Sequence, residues 1–212
     1  MSDWDYRYQT RTQVASFPDN EIISLVSKYA SKDLTTKPKA LDLGCGIGNH
    51  FNFIVSKGFQ YVGIDSSKIA INLANEEYGK GKEIFIEGDI ARLPFLDSYF
   101  DLIVDRQTLD QLQTHVIPIV IKEVHRVLKP SGLYIGVNLG GNDSRVDHAT
   151  IKKNKKSGEP QNMIGVKTFF SASSIATFFQ DFILEEMFEI KKKDLVRGDL
   201  VEQLSFVYRK RP

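Results

Sequence analysis

Three glycines and a carboxylate lie together in one short stretch, Asp42-Leu43-Gly44-Cys45-Gly46-Ile47-Gly48-Asn49. Glycine lets a backbone pass close to a ligand and adopt positive φ angles. A glycine-rich turn that enters a helix also directs N–H groups towards an anionic group. Taken alone, this stretch is equally compatible with a tight structural turn, so it indicates a ligand site only if other residues join it.

A second carboxylate, Asp65, follows an apolar run and lies 21 residues beyond Gly44. A carboxylate at this point can accept hydrogen bonds from both hydroxyls of a ribose, which suits NAD and S-adenosylmethionine alike. Asp65 could also cap the helix that starts at Ser66 or Ser67, and the two roles are compatible.

Two features separate these cofactors. A dinucleotide fingerprint requires Gly or Ala three places after its second glycine, where this chain has Asn49. Further along, Asp89 can accept from an adenine amino group while the N–H of Ile90 donates to a ring nitrogen. Both observations favour an adenosyl cofactor over a dinucleotide.

The elements that must position these residues alternate between strand and helix. Apolar runs predict strands over 39–43, 60–64, 83–87, 100–104 and 133–139, and a final strand pair over 182–190 and 201–209. Helices are predicted to begin at residue 51 and at residue 66 or 67, and to span residues 116–128 and 171–180. A turn is predicted at 129–132. Such alternation predicts a mainly parallel sheet whose ligand lies beyond the carboxyl ends of the strands.

Length and composition limit the function classes. The 212 residues fit one α/β domain, and 42% hydrophobic with 26% charged residues is an ordinary globular balance. A net charge of +1 provides no general attraction for nucleic acid or an anionic membrane. The single cysteine allows no internal disulfide, no Cys/His cluster has metal-ligand spacing, and no apolar run reaches roughly 18 residues. The polar start is unlike a secretory signal, so a cytoplasmic protein is expected.

Five segments in order, LDLGCGIGNH, YVGIDSS, EGDIARLPF, FDLIVDRQTLDQL and EVHRVLKPSGLYI, closely resemble the class I S-adenosylmethionine-dependent methyltransferases. The resemblance covers roughly residues 38–139. It implies a Rossmann-like, doubly wound, seven-stranded, mostly parallel sheet with an antiparallel C-terminal strand pair, and S-adenosylmethionine as cofactor. The expected organisation is one domain over 1–212: an N-terminal cap (1–37), the cofactor-binding core (38–139), a polar flap (140–170) and a C-terminal helix and strand pair (171–212).

The resemblance also implies a role for individual residues. The glycine loop would approach the methionine end of the cofactor, Asp65 the ribose, Asp89 and Ile90 the adenine, and 105–107 the gap between sulfonium and methyl acceptor. The implied cofactor-binding residues are Asp42, Gly44, Cys45, Gly46, Gly48, Asn49, Asp65, Ser66, Asp89, Ile90, Asp105 and Arg106.

Methyl transfer is an in-line displacement at an already activated carbon, so alignment and exclusion of water matter most. A hydroxyl or acidic carbon additionally benefits from a general base. Asp105 and Asp110 are the predicted catalytic residues, with His115 and His148 as weaker candidates. His50 beside the glycine loop is a further candidate for cofactor contact, and Cys45 is expected to be a packing residue.

A small molecule is the expected acceptor. Asp-Arg-Gln-Thr follows the fourth strand where amino-base DNA methyltransferases have Asp/Asn-Pro-Pro-aromatic. The alternatives are methylation of protein or RNA, with the lysine cluster at 152–156 as a docking patch, a non-catalytic adenosine-ligand-binding protein, or an oxidoreductase, against which Asn49 argues. The aromatic residues Trp4, Tyr6 and Tyr8 are expected either to close over the site as a lid or to pack against the sheet edge.

Overall fold

The structure, a computed structural model, describes residues 3–10, 17–29, 37–79, 84–141 and 168–212. Most of the predicted flap, the lysine cluster at 152–156 and His148 lie outside the described residues. Within the described ranges, no helix has the length and apolar character that crossing a bilayer requires.

Helices and strands alternate through the core as the sequence predicts. The helices are α1 (Asp3–Gln9), α2 (Asn20–Tyr29), α3 (Phe51–Ser56), α4 (Lys68–Ala74), α5 (Ile117–Val127) and α6 (Ala172–Phe178). The strands are β1 (Lys39–Leu43), β2 (Gln60–Asp65), β3 (Phe85–Glu87), β4 (Phe100–Arg106), β5 (Leu128–Leu139), β6 (Phe182–Lys193) and β7 (Leu200–Lys210). A π-helical turn spans Asn75–Gly79 and a 3-10 turn spans Leu109–Gln111.

The seven strands form one sheet in the order β3-β2-β1-β4-β5-β7-β6. The first five are parallel, and β7 runs antiparallel between β5 and β6. The predicted fold class is therefore confirmed. Successive strands are added on one side of β1 up to β3 and on its other side from β4 onwards. The carboxyl ends of β1 and β4 therefore lie at the switch point where α/β proteins bind ligands.

Helices cover both faces of the sheet, and each face buries its own apolar cluster. The apolar stripe of α5 shows why this helix forms and where it packs. Ile117, Val120, Ile121, Val124 and Val127 recur at helical spacing and are all buried. Pro118 lies in the first turn of α5, where backbone N–H groups have no partner within the helix. Its missing N–H therefore costs no helical hydrogen bond.

The segment that follows α5 differs from the sequence prediction. The turn predicted at 129–132 is instead part of β5, which begins directly after α5 at Leu128. Pairing between β4 and β5 shifts register between Phe100 and Leu102, and Ser131 has φ of +64°. The turn-forming residues therefore make an irregularity inside a strand, because both flanking segments remain paired with β4.

Candidate functional site

The glycine loop joins β1 to α3 at the carboxyl edge of the sheet. Gly44 and Gly46 have φ of +68° and +54°, which L side chains rarely adopt. A Cβ on Gly44 would lie 2.3 Å from Oγ1 of Thr108, and one on Gly46 would lie 2.6 Å from the Tyr8 hydroxyl. Only glycine fits these close approaches, so the loop packs tightly against Thr108 and Tyr8.

Asp65 ends β2 beside this loop. Its Oδ2 accepts from the Gly46 N–H at 2.9 Å and its Oδ1 from the Ser67 N–H at 2.8 Å. Burial raises the pKa of this carboxyl, and the two backbone N–H groups oppose that effect. A carboxylate has about four lone-pair sites, so Asp65 can accept two more hydrogen bonds.

Ser67 rather than Ser66 caps α4, since its side chain accepts from the N–H of Ala70. Ser66 is exposed beside Asp65. After the next strand, β3, Asp89 is also exposed, and its Oδ1 accepts from the Ala91 N–H at 2.8 Å. These side chains follow the carboxyl ends of adjacent strands β2 and β3.

Asp42 and His50 form a buried pair behind the glycine loop. Oδ2 of Asp42 lies 3.2 Å from Nδ1 of His50 and accepts from the Tyr61 hydroxyl at 2.9 Å. Nε2 of His50 accepts from the Asp19 N–H at 3.4 Å, which places the imidazole proton on Nδ1. Asp42 thus fixes the start of α3, and its predicted contact with the methionine end stays a prediction.

Cys45 is buried within the loop, and its thiol contacts the Gly46 carbonyl. Burial, with Asp42 and Asp65 nearby, raises the pKa of this thiol well above its usual value. A thiol that resists ionisation is a poor nucleophile, which favours the packing role expected for it.

Helix α1 lies over the same loop. Oδ1 of Asp5 accepts from the Ser67 hydroxyl at 2.7 Å and from the Ile69 N–H at 3.4 Å, so α1 is docked on the start of α4. The Tyr8 hydroxyl reaches Gly46, and burial together with Asp65 raises the pKa of Tyr8 well above its usual value. Tyr6, by contrast, is 51% exposed.

The segment before α2 connects the loop to the end of β4. Nδ2 of Asn49 donates to the Phe17 carbonyl at 3.1 Å, and Nε of Arg106 donates to Oδ2 of Asp19 at 3.3 Å. Asn49 and Arg106 therefore already have protein partners; their predicted contacts with the cofactor stay predictions.

Asp105, at the end of β4, is fully buried. Its Oδ1 accepts from the Thr108 N–H at 2.8 Å, and its Oδ2 accepts from the Tyr134 hydroxyl at 2.8 Å and from Nδ2 of Asn138 at 2.7 Å. Burial raises the pKa of Asp105, although its three donors favour the charged form.

Asp110 is also fully buried, within the 3-10 turn. Its Oδ2 accepts from the Leu139 N–H at 2.9 Å and its Oδ1 from the side chain of Gln111. The backbone of Asp110 donates to Oδ1 of Asn138 and accepts from the Thr168 N–H. The structure thus places both predicted catalytic carboxylates in internal networks linked by Asn138, while His115 is exposed elsewhere on the segment.

A family model and two relatives that resemble this chain are all named as methyltransferases. A family model described as "Methyltransferase domain" matches residues 41–136. An uncharacterized methyltransferase of Synechocystis is 33% identical over 101 residues, which is 48% of this chain and 47% of the relative. Demethylmenaquinone methyltransferase of Staphylococcus aureus is 27% identical over 136 residues, 61% of this chain and 54% of the relative.

A solved structure described as a SAM-dependent methyltransferase from Methanosarcina mazei superimposes with a TM-score of 0.70 at 22% identity, covering 88% of this chain and 97% of that one. Residues 41–136 therefore match a methyltransferase domain, and the described part of the chain has the fold of this S-adenosylmethionine-dependent methyltransferase. The chain spans about half the length of the curated relatives that it matches first. Other relatives are named for methylating a fatty acid or a protein lysine, so the family does not define the acceptor.

The residues of this methyltransferase domain fit the cofactor. Asp65 has further lone-pair sites beside the glycine loop, whose Gly44 and Gly46 adopt backbone angles that other residues rarely adopt. Asp89 offers an exposed carboxylate one strand further along. S-adenosylmethionine supplies a methyl group activated by a positive sulfur; the chain has to bind and orient it.

Sequence reasoning missed several residues of the domain. Asn138 and Tyr134 lie on an otherwise apolar strand, where a polar side chain among buried neighbours was the available signal. Asp19 gave no such signal, because its partners His50 and Arg106 are far away in sequence. Among the described residues, no group of three or more His, Cys, Asp or Glu side chains could hold a metal ion.

Asp89 provides a direct test of the adenine contact. Asp89→Asn retains an acceptor for the Ala91 N–H but loses the charge, whereas Asp89→Ala loses both. We expect the alanine variant to bind S-adenosylmethionine about fivefold more weakly than the asparagine variant, by calorimetry. Negligible losses in both variants would refute the contact.

Asp105 can be tested as a positioning residue. An asparagine there would turn an amide N–H towards at least one of its three donors, so we expect Asp105→Asn to lower the free energy of unfolding by about 3 kcal/mol. The melting temperature should fall by about 6–12 °C. The exposed Asp181→Asn should change neither quantity. A variant with native stability but no turnover would instead support the predicted general base.

Proposed function

We propose that this protein transfers the methyl group of S-adenosylmethionine to a small-molecule acceptor. The observation that carries the cofactor part of the proposal is Asp65: it lies at the carboxyl end of β2 and accepts hydrogen bonds from Gly46 of the glycine loop and from Ser67 at the start of α4. If the ribose lies at this edge of the sheet, the two remaining lone-pair sites of the carboxylate would accept from its hydroxyls.

The acceptor would lie above the ends of β4 and β5. With the cofactor spread along β1, β2 and β3, the methyl group would point towards β4, where Arg106 ends the strand and the segment 107–112 follows it. The flap expected as the opposite wall lies outside the described residues, so this wall stays a prediction.

Exclusion of water and alignment would fall to the chain's own residues. Tyr8 covers the glycine loop, while Asp105 and Asp110 hold the 107–111 segment in place through Thr108, Asn138 and Leu139. The contacts of both carboxylates favour positioning over proton abstraction, since neither has exposed surface. The catalytic role predicted for them remains to be tested.

Labelled S-adenosylmethionine incubated with a metabolite extract would test the proposal. Label appearing in small molecules would support it; label only in protein or RNA would favour the alternative acceptors. Binding without any turnover would leave a non-catalytic adenosine-ligand-binding protein. Oligomeric state and the cytoplasmic location expected from the sequence stay predictions.

A further inference from the structure

Two buried amide atoms in the segment after β4 lack hydrogen-bond partners. Within the described part of the chain, these are Nε2 of Gln107 and Oε1 of Gln111. The two other unpartnered side-chain atoms, the hydroxyls of Ser205 and Tyr208, are on β7, which β5 separates from β4. A buried polar atom without a partner costs about 1–3 kcal/mol, so such atoms at a strand end call for a ligand.

The neighbouring side chains fix which end of each amide is left over. Nη1 of Arg106 donates to Oε1 of Gln107 at 2.5 Å, and a guanidinium has donors only, so Gln107 presents its N–H. The side-chain N–H of Gln111 donates to the Asp110 carboxylate, so Gln111 presents its carbonyl. The segment therefore offers one donor, on Gln107, and one acceptor, on Gln111.

The backbone of Gln107 is also unusual. It has φ of +57°, in the left-handed region, and its N–H donates to the Val137 carbonyl at 2.8 Å. A residue other than glycine in this region costs free energy and persists only where its surroundings hold it, which is common at binding sites. The Val137 bond and Arg106 hold the Gln107 side chain in a specific place.

We propose that Gln107 and Gln111 recognise a methyl acceptor carrying a carbonyl beside an N–H, the edge of an amide or lactam. The inference rests on the proposed function and specifies its acceptor. The acceptor's carbonyl would accept from Gln107 and its N–H would donate to Gln111. A carboxylate fits less well, because it has no proton for Gln111 and because Asp19 already pairs with the Arg106 cation.

A matched pair of probes tests this pairing in the protein loaded with S-adenosylhomocysteine. 2-Pyridone carries both groups, and N-methyl-2-pyridone lacks the donor. We expect 2-pyridone to bind about 2–10-fold more tightly and to shift the side-chain NH₂ resonances of Gln107 and Gln111 in NMR titrations. Benzoate, as an anionic probe, should bind more weakly than 2-pyridone.

The variants separate the two bonds. Gln111→Leu should remove the preference between the two pyridones, whereas Gln107→Leu should weaken both by a similar factor and keep their ratio. The exposed Gln113→Leu should match the unmodified protein. All three variants should bind S-adenosylhomocysteine within about twofold of the unmodified protein, which also shows that they fold.

Equal binding of the pyridones, absence of shifts at both side chains, or tighter binding of benzoate would overturn the proposal. So would a large loss of S-adenosylhomocysteine affinity in Gln107→Leu and Gln111→Leu, because the amides would then face the cofactor. If the unmodified protein does not bind S-adenosylhomocysteine at all, it is the proposed function that fails.

Discussion

Replacing Asp65 by alanine is expected to weaken binding of S-adenosylmethionine by about two to four orders of magnitude. Hydrogen bonds to a charged group contribute roughly 1.5–3 kcal/mol each, and Asp65→Ala removes the acceptor for two ribose hydroxyls. It also frees the Gly46 N–H, which Asp65 holds at 2.9 Å. Isothermal titration calorimetry measures the change directly.

Asp97→Ala serves as the control, because Asp97 is an exposed carboxylate paired with Arg126 away from the glycine loop. It should leave cofactor affinity unchanged. A loss below about threefold in Asp65→Ala would show that the cofactor binds elsewhere, whatever the fold suggests.

The protonation state of Asp65 gives the same contact a pH dependence. Burial raises the pKa of Asp65, so its neutral form appears at higher pH than for an exposed aspartate. The neutral acid forms weaker hydrogen bonds with the ribose, so affinity should fall as pH decreases through this raised pKa. The Asp65→Asn variant has no carboxyl group to titrate at this position. It should bind S-adenosylmethionine weakly, and residue 65 should contribute no pH dependence to that affinity.

The fold could be predicted because it rests on local patterns. Apolar runs followed by glycine or a carboxylate identified the strands, and the helical spacing of Val120, Ile121 and Val124 identified α5. The β5 irregularity could not be predicted, since Lys129-Pro130-Ser131-Gly132 has the composition of a turn. Only the pairing of both its flanks with β4 keeps it within a strand.

The site residues also divide into those that local sequence patterns indicate and those that depend on long-range contacts. Asp65 and the glycines could be selected from the sequence because the chemistry proposed for them follows from their position at a strand end. The partners that define the other residues come from long range: Asp42 with Tyr61, Arg106 with Asp19, and Asp105 with Asn138. A carboxylate exposed to substrate and one saturated by internal donors look identical in a sequence, so Asp105 and Asp110 could be selected but their roles could not.

Deleting residues 1–12 is expected to lower turnover by about 100-fold or more while leaving the melting temperature nearly unchanged. Helix α1 contributes no residue to either of the buried apolar clusters. Its contacts include Asp5 on the start of α4 and Tyr8 on the glycine loop. Removal should therefore open the cofactor site to water without loosening the core. Steady-state kinetics and a thermal melt measure the two effects.

Single substitutions decide whether Tyr8 carries this effect. Tyr8→Ala should reproduce most of the loss in turnover, because its partly buried ring lies against Gly46, whereas Tyr6→Ala removes a half-exposed ring from the same helix and should have little effect. Tyr8→Phe keeps the ring that excludes water and should lose less than Tyr8→Ala. Full activity in the deletion would eliminate the lid. A collapsed melting temperature would mean that α1 packs as part of the fold, since a lid is dispensable for stability and required only when the cofactor has to be enclosed.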